Sequence, residues 1–206
     1  MVTGRSWKRF LYSLYFLKME KKSLFDHLTF VTGNVNKLRE ASQILGCSLK
    51  QGEVDGLIEM QTLDVSELVL HKLDQAFKTI GGPVLVEDSG LIFTEWNGLP
   101  GALVKWFEKS VGCAGMLKML ESFSNREAIA VCYAAVRFGK IVKVAKGESR
   151  GTIAFAERGT NGFGWDTIFI PEGSEQTFAQ MKPEEKNAIS HRKKAFEELK
   201  RVLTEE

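Results

Sequence analysis

The sequence predicts an α/β fold built on a mixed sheet. Short apolar runs at residues 28–31 and 84–86 are typical of buried strands, and helical patterns at residues 35–45 and 64–79 separate them. Apolar and polar residues alternate along residues 127–138, and the turn that follows them leads into a further strand, as in an antiparallel hairpin. Parallel and antiparallel strands are therefore expected in one sheet.

Length and composition fit that fold class. With 206 residues and 44% hydrophobic residues, the chain can form one large α/β domain, or one domain with a small lobe. Its net charge of +2 is too small to indicate nucleic-acid binding. The three cysteines, Cys47, Cys113 and Cys132, lack metal-ligand spacing, which favours a reduced intracellular protein. No apolar run approaches the roughly 20 residues of a membrane span.

The amino-terminal segment differs from the rest in composition. Residues 1–18 contain basic residues and no acid around an apolar, aromatic stretch, which is typical of an organelle transit peptide or a short signal segment. A start of translation at Met19 is the simpler explanation, and we favour it together with a cytoplasmic location. We expect residues 1–27 to be an extension outside the fold and residues 28–206 to form a single domain.

The first strand, at residues 28–31, leads through a glycine turn into a helix at residues 35–45, and Gly46 supplies its C-terminal cap. Such a turn can bind phosphate, because the helix N-terminus offers free N–H groups and a partial positive charge. Asn36 and Lys37 would add a donor and a cation. The alternative for Lys37 is a solvated surface lysine.

Residues 48–54 predict a second strand, and Asp64 with Glu67 resembles a capping box that starts the next helix. Lys72 falls within the apolar stripe of this helix, where an unpaired charge is costly. It could extend past its neighbours to water. Alternatively, it reaches a buried anion at Glu87 and Asp88.

The central strand, Val84–Val86, is followed by Glu87, Asp88 and Ser89. Open α/β sheets bind ligands just beyond the carboxyl ends of their strands. Two adjacent carboxylates there suit a hard divalent cation, which usually also contacts substrate phosphates. A solvated turn is the alternative.

Residues 103–107 and 114–123 predict helices, and Lys105 on the first could be a surface residue or a ligand. The hairpin then pairs residues 127–138 with 141–147, and a further strand follows at residues 151–154. Strand 167–171 comes after two glycines that flank Phe163 and let aromatic faces approach a planar ligand. An aromatic plug in the core is the alternative for this segment.

Pro183 predicts a helix start, and Ser190 could cap the last helix. Arg192 projects into the apolar stripe of that helix, where a surface arginine is not expected. Lys186, Ser190, His191 and Arg192 therefore form a group of donors directed inward.

Six segments together resemble the inosine/xanthosine triphosphate pyrophosphatase family, in its eukaryotic form. They run in order from residue 30 to residue 196: FVTGNVNKLREASQILG, LIEMQ, GGPVLVEDSGL, NGLPGALVKWF, GFGWDTIFIPEGSEQTFAQM and EEKNAISHRKKAF. The FGWD and SHR motifs at this spacing are specific. The LIEMQ segment, which contains Glu59, is displaced by one residue relative to some relatives.

The resemblance implies a mixed sheet in two lobes around a central cleft, and a homodimer. It also implies hydrolysis of inosine, deoxyinosine and xanthosine triphosphates to the monophosphate and pyrophosphate. The cofactor would be Mg²⁺, with Mn²⁺ as a possible substitute, and neither nucleic acid nor membrane would be a partner. A non-catalytic nucleotide sensor and a pyrophosphatase for modified pyrimidine or 7-methylguanine nucleotides are the rival hypotheses.

The resemblance also implies roles for individual residues. Asp88 would be catalytic, and Glu59 and Asp88 would bind the metal. The substrate would be bound by Thr32, Gly33, Asn34, Val35, Asn36, Lys37, Lys72, Asp88, Ser89, Lys105, Phe163, Gly164, Trp165, Asp166, Lys186, His191 and Arg192.

Overall fold

The computed structural model describes residues 25–204, which form a seven-stranded mixed sheet with helices packed on it. Residues 1–24, which contain the predicted targeting signal and most of the predicted extension of residues 1–27, lie outside the described residues, as do residues 205 and 206. The last three residues of that extension are described: Phe25–His27 form a short 3-10 helix, and Phe25 is buried in the core. The strands are β1 Thr29–Val31, β2 Lys50–Gly52, β3 Val84–Phe93, β4 Pro100–Gly101, β5 Glu127–Phe138, β6 Ile141–Ile153 and β7 Phe169–Pro171. The α-helices are α1 Val35–Leu45, α2 Val65–Ile80, α3 Val104–Ser110, α4 Gly112–Met119, α5 Pro183–Ile189 and α6 His191–Thr204.

The strand order is β2-β1-β3-β5-β6-β7, with β4 paired to the edge of β3. The pairs of β1 with β2 and with β3 are parallel, and all the other strand pairs are antiparallel. The predicted mixed sheet is therefore confirmed. The described residues contain no helix that is both long and apolar enough to cross a membrane.

Three groups of buried side chains form the core. One joins α1 and α6 to one face of the sheet through residues such as Phe30, Leu85 and Phe196. A second packs α2 on the opposite face, with Val69 against Val86 and its neighbours. The third surrounds Phe93, Trp165 and Phe169 and includes residues of α3 and α4.

Strand β3 is longer than the sequence predicts. The acids at positions 87 and 88 lie inside it, not in a turn after Val86, because β5 pairs with β3 from Val84 to Phe93. On its other side, β1 pairs only as far as Leu85, and β4 pairs only from Leu91. Among residues 25–204 no strand covers the edge between them, so the acids lie at an open edge.

Other segments also differ from the predicted elements: β2 and β7 are shorter than predicted, and α3 extends to Ser110. Strand β6 is continuous to Ile153, because β5 pairs with it along almost its whole length, whereas the sequence predicts two strands. Helix α4 begins at Gly112 and ends at Met119, which is earlier at both ends than predicted.

Local capping is close to expectation. Asp64 caps α2 by accepting from the Ser66 N–H at 2.7 Å, but Glu67 accepts from the Thr62 hydroxyl and does not complete a capping box. The sequence left Pro183 and Ser190 as alternative helix starts, and both are helix boundaries. Ser190 separates α5 from α6, and its Oγ accepts from the Lys193 N–H at 3.1 Å.

Candidate active site

The turn between β1 and α1 presents a capped helix N-terminus. Asn34 Oδ1 accepts from the N–H groups of Asn36, at 2.9 Å, and Lys37, at 3.3 Å. The Asn34 N–H donates in turn to Thr32 Oγ1 at 3.1 Å. Val35 at the start of the helix is 67% exposed. The predicted turn between strand and helix is therefore formed, and the Asn34 side chain accepts from two of the N–H groups that a ligand could use.

Lys37, Lys72 and Asp88 meet at the open edge of β3. Lys37 Nζ lies 2.8 Å from Asp88 Oδ1, and Lys72 Nζ lies 3.4 Å from Asp88 Oδ2. Lys72 also donates to the Glu87 carbonyl at 3.2 Å. Both lysines therefore form ion pairs with Asp88, and neither is the solvated surface lysine that the sequence left as an alternative.

The lysines determine the charge of Asp88. Burial alone would raise the pKa of this carboxyl group, but Lys37 and Lys72 outweigh burial and hold the pKa well below its usual range. Burial opposes the charge of Lys37 as well, yet Asp88 and Glu87 raise the pKa of its ammonium group. Both groups are therefore ionised throughout the physiological range.

Glu87 is a further charged residue of the site. The sequence predicts it, next to Asp88, as a carboxylate for a divalent cation, although the resemblance gives it no role. It is fully buried on the opposite face of β3 from Asp88. Its Oε1 lies 2.9 Å from Lys37 Nζ, and its Oε2 lies 3.3 Å from Arg192 Nη2. Burial would raise its pKa, but Arg192 and Lys37 lower it to about 2. Lys37 thus joins the acids on the two faces of the strand.

Arg192 and Lys186 form a second buried group of charges. Arg192 Nη2 donates to Ser89 Oγ at 3.0 Å, and Arg192 Nη1 lies 2.5 Å from Glu40 Oε2. Lys186 Nζ lies 2.8 Å from Glu40 Oε1 and 2.5 Å from Asp166 Oδ2. Glu40 therefore links the two cations that the sequence directs inward.

Glu40 is an acid of the site that was not predicted from the sequence. It is 4% exposed and lies three residues after Lys37 on α1. The i, i+3 spacing places the two side chains on one face of the helix, and this spacing is the signal by which the sequence could have identified it. Burial alone would raise the pKa of Glu40, but Arg192 and Lys186 outweigh burial and lower it, so the carboxylate stays ionised.

Phe163 lies over the same cations, with its ring centroid 4.9 Å from Lys186 Nζ and 5.6 Å from Arg192 Cζ. Its N–H donates to Asp166 Oδ2 at 2.8 Å. Burial raises the pKa of Asp166, while Lys186 opposes that effect. Phe163 is half-buried and Gly164 is exposed, so this turn can present an aromatic face to a ligand.

Trp165 and His191 lie in the core instead. Trp165 is 7% exposed, and the His191 ring lies between it, at 5.2 Å, and Phe178, at 6.1 Å. Both ring nitrogens of His191 lack a hydrogen-bond partner within the described part of the chain. Burial and the charge of Arg192 hold its pKa well below the usual value, so the ring is neutral. The aromatic plug that the sequence left open thus applies to Trp165, and not to Phe163.

Glu59 and Lys105 form a separate pair. Lys105 Nζ lies 2.5 Å from Glu59 Oε1, and both side chains are substantially exposed. Neither makes an ion pair or hydrogen bond with Lys37, Lys72 or Asp88 in the described structure. The structure therefore brings the other predicted cations and acids together but leaves these two apart from them.

Known proteins are similar to this chain over most of its length. A model of the Ham1 family matches residues 28–202. The inosine triphosphate pyrophosphatase of Kluyveromyces lactis is 46% identical over 185 residues, which cover 85% of this chain and 95% of that protein.

Solved structures show the same fold. A HAM1 protein from Coxiella burnetii has a TM-score of 0.72 at 32% identity, over 87% of this chain and 100% of its own. A Mycobacterium abscessus protein described as a nucleoside-triphosphatase or dITP/XTP pyrophosphatase has a TM-score of 0.65 at 28% identity, over 87% of this chain and 99% of its own. By both sequence and fold, this chain belongs to the Ham1 family.

Proposed function

We propose that this protein hydrolyses inosine, deoxyinosine and xanthosine triphosphates to the monophosphate and pyrophosphate, and so removes deaminated purines from the nucleotide pool. The observation that carries the proposal is the meeting of Lys37 and Lys72, from two different helices, at the carboxylate of Asp88. The named activities of the relatives from K. lactis and M. abscessus support the same substrate class.

The triphosphate would bind between the first turn of α1 and the open edge of β3. A triphosphate carries close to four negative charges, which Lys37, Lys72 and the helix N-terminus would offset together with a cation. Thr32 to Lys37 would surround the phosphates. Because Asn34 already accepts from two N–H groups of the turn, its side chain would turn away or share these donors with the phosphates.

The acids suit a divalent cation that arrives with the substrate. Residues 25–204 contain no ready group of three acidic, histidine or cysteine side chains for a metal, and the lysines occupy both oxygens of Asp88. Mg²⁺ typically takes one or two carboxylates and completes its coordination with water and substrate phosphates. Asp88 would hold the ion, together with Glu59 once Glu59 separates from Lys105. When bound, Mg²⁺, or Mn²⁺ in its place, would polarise the α-phosphate and stabilise the departing pyrophosphate.

Asp88 would orient the attacking water. Its low pKa makes it a weak base while both lysines contact it. When Lys37 and Lys72 turn to the phosphates, Asp88 loses these partners and its basicity rises. Activation of water would thus depend on a bound substrate.

The buried cations would select the base. Hypoxanthine and xanthine have a 6-keto acceptor, which Lys186 and Arg192 donors can satisfy, while Phe163 stacks on the ring. Adenine has a 6-amino donor, which would face these cationic donors without an acceptor. Such a mismatch would cost several kcal/mol, enough for about 10⁴-fold discrimination. Guanine shares the 6-keto group, so this argument separates the substrates from adenine only.

A nucleotide panel tests the proposal. We expect pyrophosphate from ITP, dITP and XTP in the presence of Mg²⁺, far less from ATP, and none without a divalent cation. Binding of ITP without pyrophosphate release would instead favour the nucleotide sensor. Preferential cleavage of a modified pyrimidine nucleotide or of a 7-methylguanine nucleotide would favour the other rival.

Assembly and location are proposals of the same kind. We propose a cytoplasmic homodimer, on the basis of the resemblance to this enzyme family and the reduced cysteines at positions 47, 113 and 132. Light scattering of the purified chain would give twice the monomer mass, whereas a monomer at micromolar concentration would contradict the dimer.

A further inference from the structure

Residues 53–64 connect β2 to α2 without forming a helix or a strand. Glu59, a proposed ligand of the divalent cation, lies in this connection. A carboxylate on an irregular segment binds a metal ion well only if the backbone that carries it is already held, because ordering the segment at the moment of binding costs conformational entropy. The contacts that fix the backbone beside Glu59 therefore bear on metal binding.

The side-chain amide of Gln75, on α2, binds both backbone polar groups of Ile58, the residue before Glu59. Gln75 Oε1 accepts from the Ile58 N–H at 2.9 Å, and Gln75 Nε2 donates to the Ile58 carbonyl at 2.9 Å. The amide thus takes the place of a neighbouring strand, which would offer Ile58 the same donor and acceptor. The two bonds also determine the orientation of the amide, since the reversed amide would set donor against donor.

The Gln75 amide is itself held by its own helix. Gln75 Nε2 lies 2.9 Å from Nδ1 of His71, one turn earlier on α2. This ring nitrogen accepts the second amide hydrogen when the ring carries its own hydrogen on Nε2. Lys72 precedes Gln75 by three residues, so the two side chains are neighbours on the helix surface. One face of α2 therefore provides both a cation for the phosphates and the amide that holds Ile58.

The backbone beside Glu59 is held, whereas its carboxylate is easily released. The Glu59 carboxylate contacts Lys105, and both side chains are substantially exposed. An exposed ion pair is weak, because water competes for both charges. Glu59 can therefore leave Lys105 by rotation of its side chain while Gln75 still holds Ile58.

We propose that Gln75 is a positioning residue for the divalent cation, which holds the backbone at Ile58 so that Glu59 can turn to the ion without ordering the connection first. The inference rests on the function proposed above, in which Glu59 is a metal ligand. Gln75 touches neither the nucleotide nor the ion in this assignment. Its loss should therefore weaken metal binding and leave nucleotide binding without metal unchanged.

The test compares Gln75→Met with Gln61→Met. Methionine keeps the length and the helix propensity of glutamine but removes both bonds to Ile58. Gln61 is the matched control, because it is an exposed glutamine of the same connection that makes neither of these bonds. Each protein is saturated with the α,β-methylene analogue of ITP, which cannot release pyrophosphate, and is titrated with Mn²⁺. The EPR signal of free Mn²⁺ then gives the Kd of the ion.

We expect Gln75→Met to raise the Kd for Mn²⁺ about tenfold, which is the low end of the usual loss for residues that orient metal ligands, since its bonds lie near solvent. Gln61→Met should match wild type. The Kd of the analogue itself, measured in EDTA, should be equal in all three proteins.

A double variant tests whether Gln75 acts through Glu59. Glu59→Gln removes the charged ligand, so the further change Gln75→Met should not weaken Mn²⁺ binding again. A merely structural role of Gln75 would give the same additional loss in both backgrounds, and that result would overturn the inference.

Other results would also overturn the inference. An unchanged Kd for Mn²⁺ in Gln75→Met would show that the amide does not position the ligand. Weaker binding of the analogue in EDTA would place the effect at Lys72. If Gln75→Met does not fold, Gln75→Ala replaces it in every comparison. If wild type does not hydrolyse ITP, or if Glu59→Gln binds Mn²⁺ as tightly as wild type, the proposed function is at fault and the inference fails with it.

Discussion

At the scale of single residues, Asp88 is the point where the positive and negative charges of the site meet. Its two oxygens contact lysines from α1 and α2, at 2.8 Å and 3.4 Å. The same carboxylate is the proposed ligand of the cation and the proposed partner of the attacking water. Asp88→Asn replaces one carboxylate oxygen by an amide nitrogen, so it removes the charge of the side chain and keeps its shape.

We predict that Asp88→Asn lowers kcat for ITP by at least about a hundredfold, because the amide neither activates water nor offsets the charge of a cation. The shape of the side chain is kept, so the fold should persist. Pyrophosphate release measures the loss, and thermal unfolding checks the fold. Retained Mg²⁺-dependent pyrophosphate release would contradict the role of Asp88.

Glu40 permits a second prediction, about specificity. Glu40→Gln removes the charge that Lys186 and Arg192 share, so both donors should lose their fixed orientation. We expect KM for ITP to rise about tenfold and the preference for ITP over ATP to narrow, as it should in Arg192→Ala. Steady-state kinetics on both nucleotides measure the change.

Glu53→Gln is the matched control for Glu40→Gln, because Glu53 is an exposed acid outside the buried network. It should leave the ITP preference at the wild-type value. An equal loss of ITP and ATP hydrolysis in Glu40→Gln would indicate general unfolding and not a loss of base selection.

At the scale of elements, the boundary between α5 and α6 directs the base-selecting residues. Ser190 is fully buried and adopts an extended backbone, and its Oγ caps the helix that starts with His191 and Arg192. Because the extended Ser190 interrupts the helix between them, Lys186 and Arg192 can both reach the same acid, Glu40. A single continuous helix would place these residues on different sides.

We predict that Ser190→Ala lowers the free energy of unfolding by about 1 kcal/mol, the usual loss for an N-cap hydroxyl. Urea unfolding at pH 7 measures the change. Ser122→Ala, which alters an exposed serine, should cost nothing measurable. If the two variants are equally stable, the hydroxyl of Ser190 does not stabilise the start of α6.

At the scale of the whole molecule, paired charges connect β3 with α1, α2, α5 and α6 and make stability depend on pH. For Glu87, burial raises the pKa, but Arg192 and Lys37 lower it from 4.5 to about 2. The stability that its ionised form contributes is fully present above pH 4.5 and is lost as the pH falls toward 2. His191 causes a further loss of stability that begins at a higher pH, because burial keeps the ring neutral in the folded state only.

We predict that His191→Phe removes the loss of stability that His191 causes below pH 6.5. Folding excludes the proton from His191, so its contribution is present above pH 6.5 and is lost below it. Wild type should lose up to about 1.4 kcal/mol per pH unit more than the variant between pH 6 and pH 5. A phenyl ring keeps the stack between Trp165 and Phe178.

Urea unfolding of both proteins at pH 7, 6 and 5 measures that difference. The two proteins are identical at every other position, so the difference between them reports on His191 alone. Parallel losses in the two proteins would show that His191 does not titrate on unfolding.

The sequence by itself determined the order of the elements, the glycine turn that leads into α1 and the inward direction of Lys72 and Arg192. Helical periodicity reveals the direction of the two cations, because a charged residue in an apolar stripe is visible within a few turns of helix. The resemblance drawn from six short segments also held, since the family model matches residues 28–202.

Only the tertiary structure decided which charges meet. Glu40 pairs with Arg192 across 152 positions of the sequence, and Glu87 pairs with the same arginine across 105. The tertiary structure also distinguished Phe163, which can face a ligand, from Trp165, which is buried in the core. No local pattern records such pairs, because burial of a charge is tolerated only where chain-distant groups come together to neutralise it.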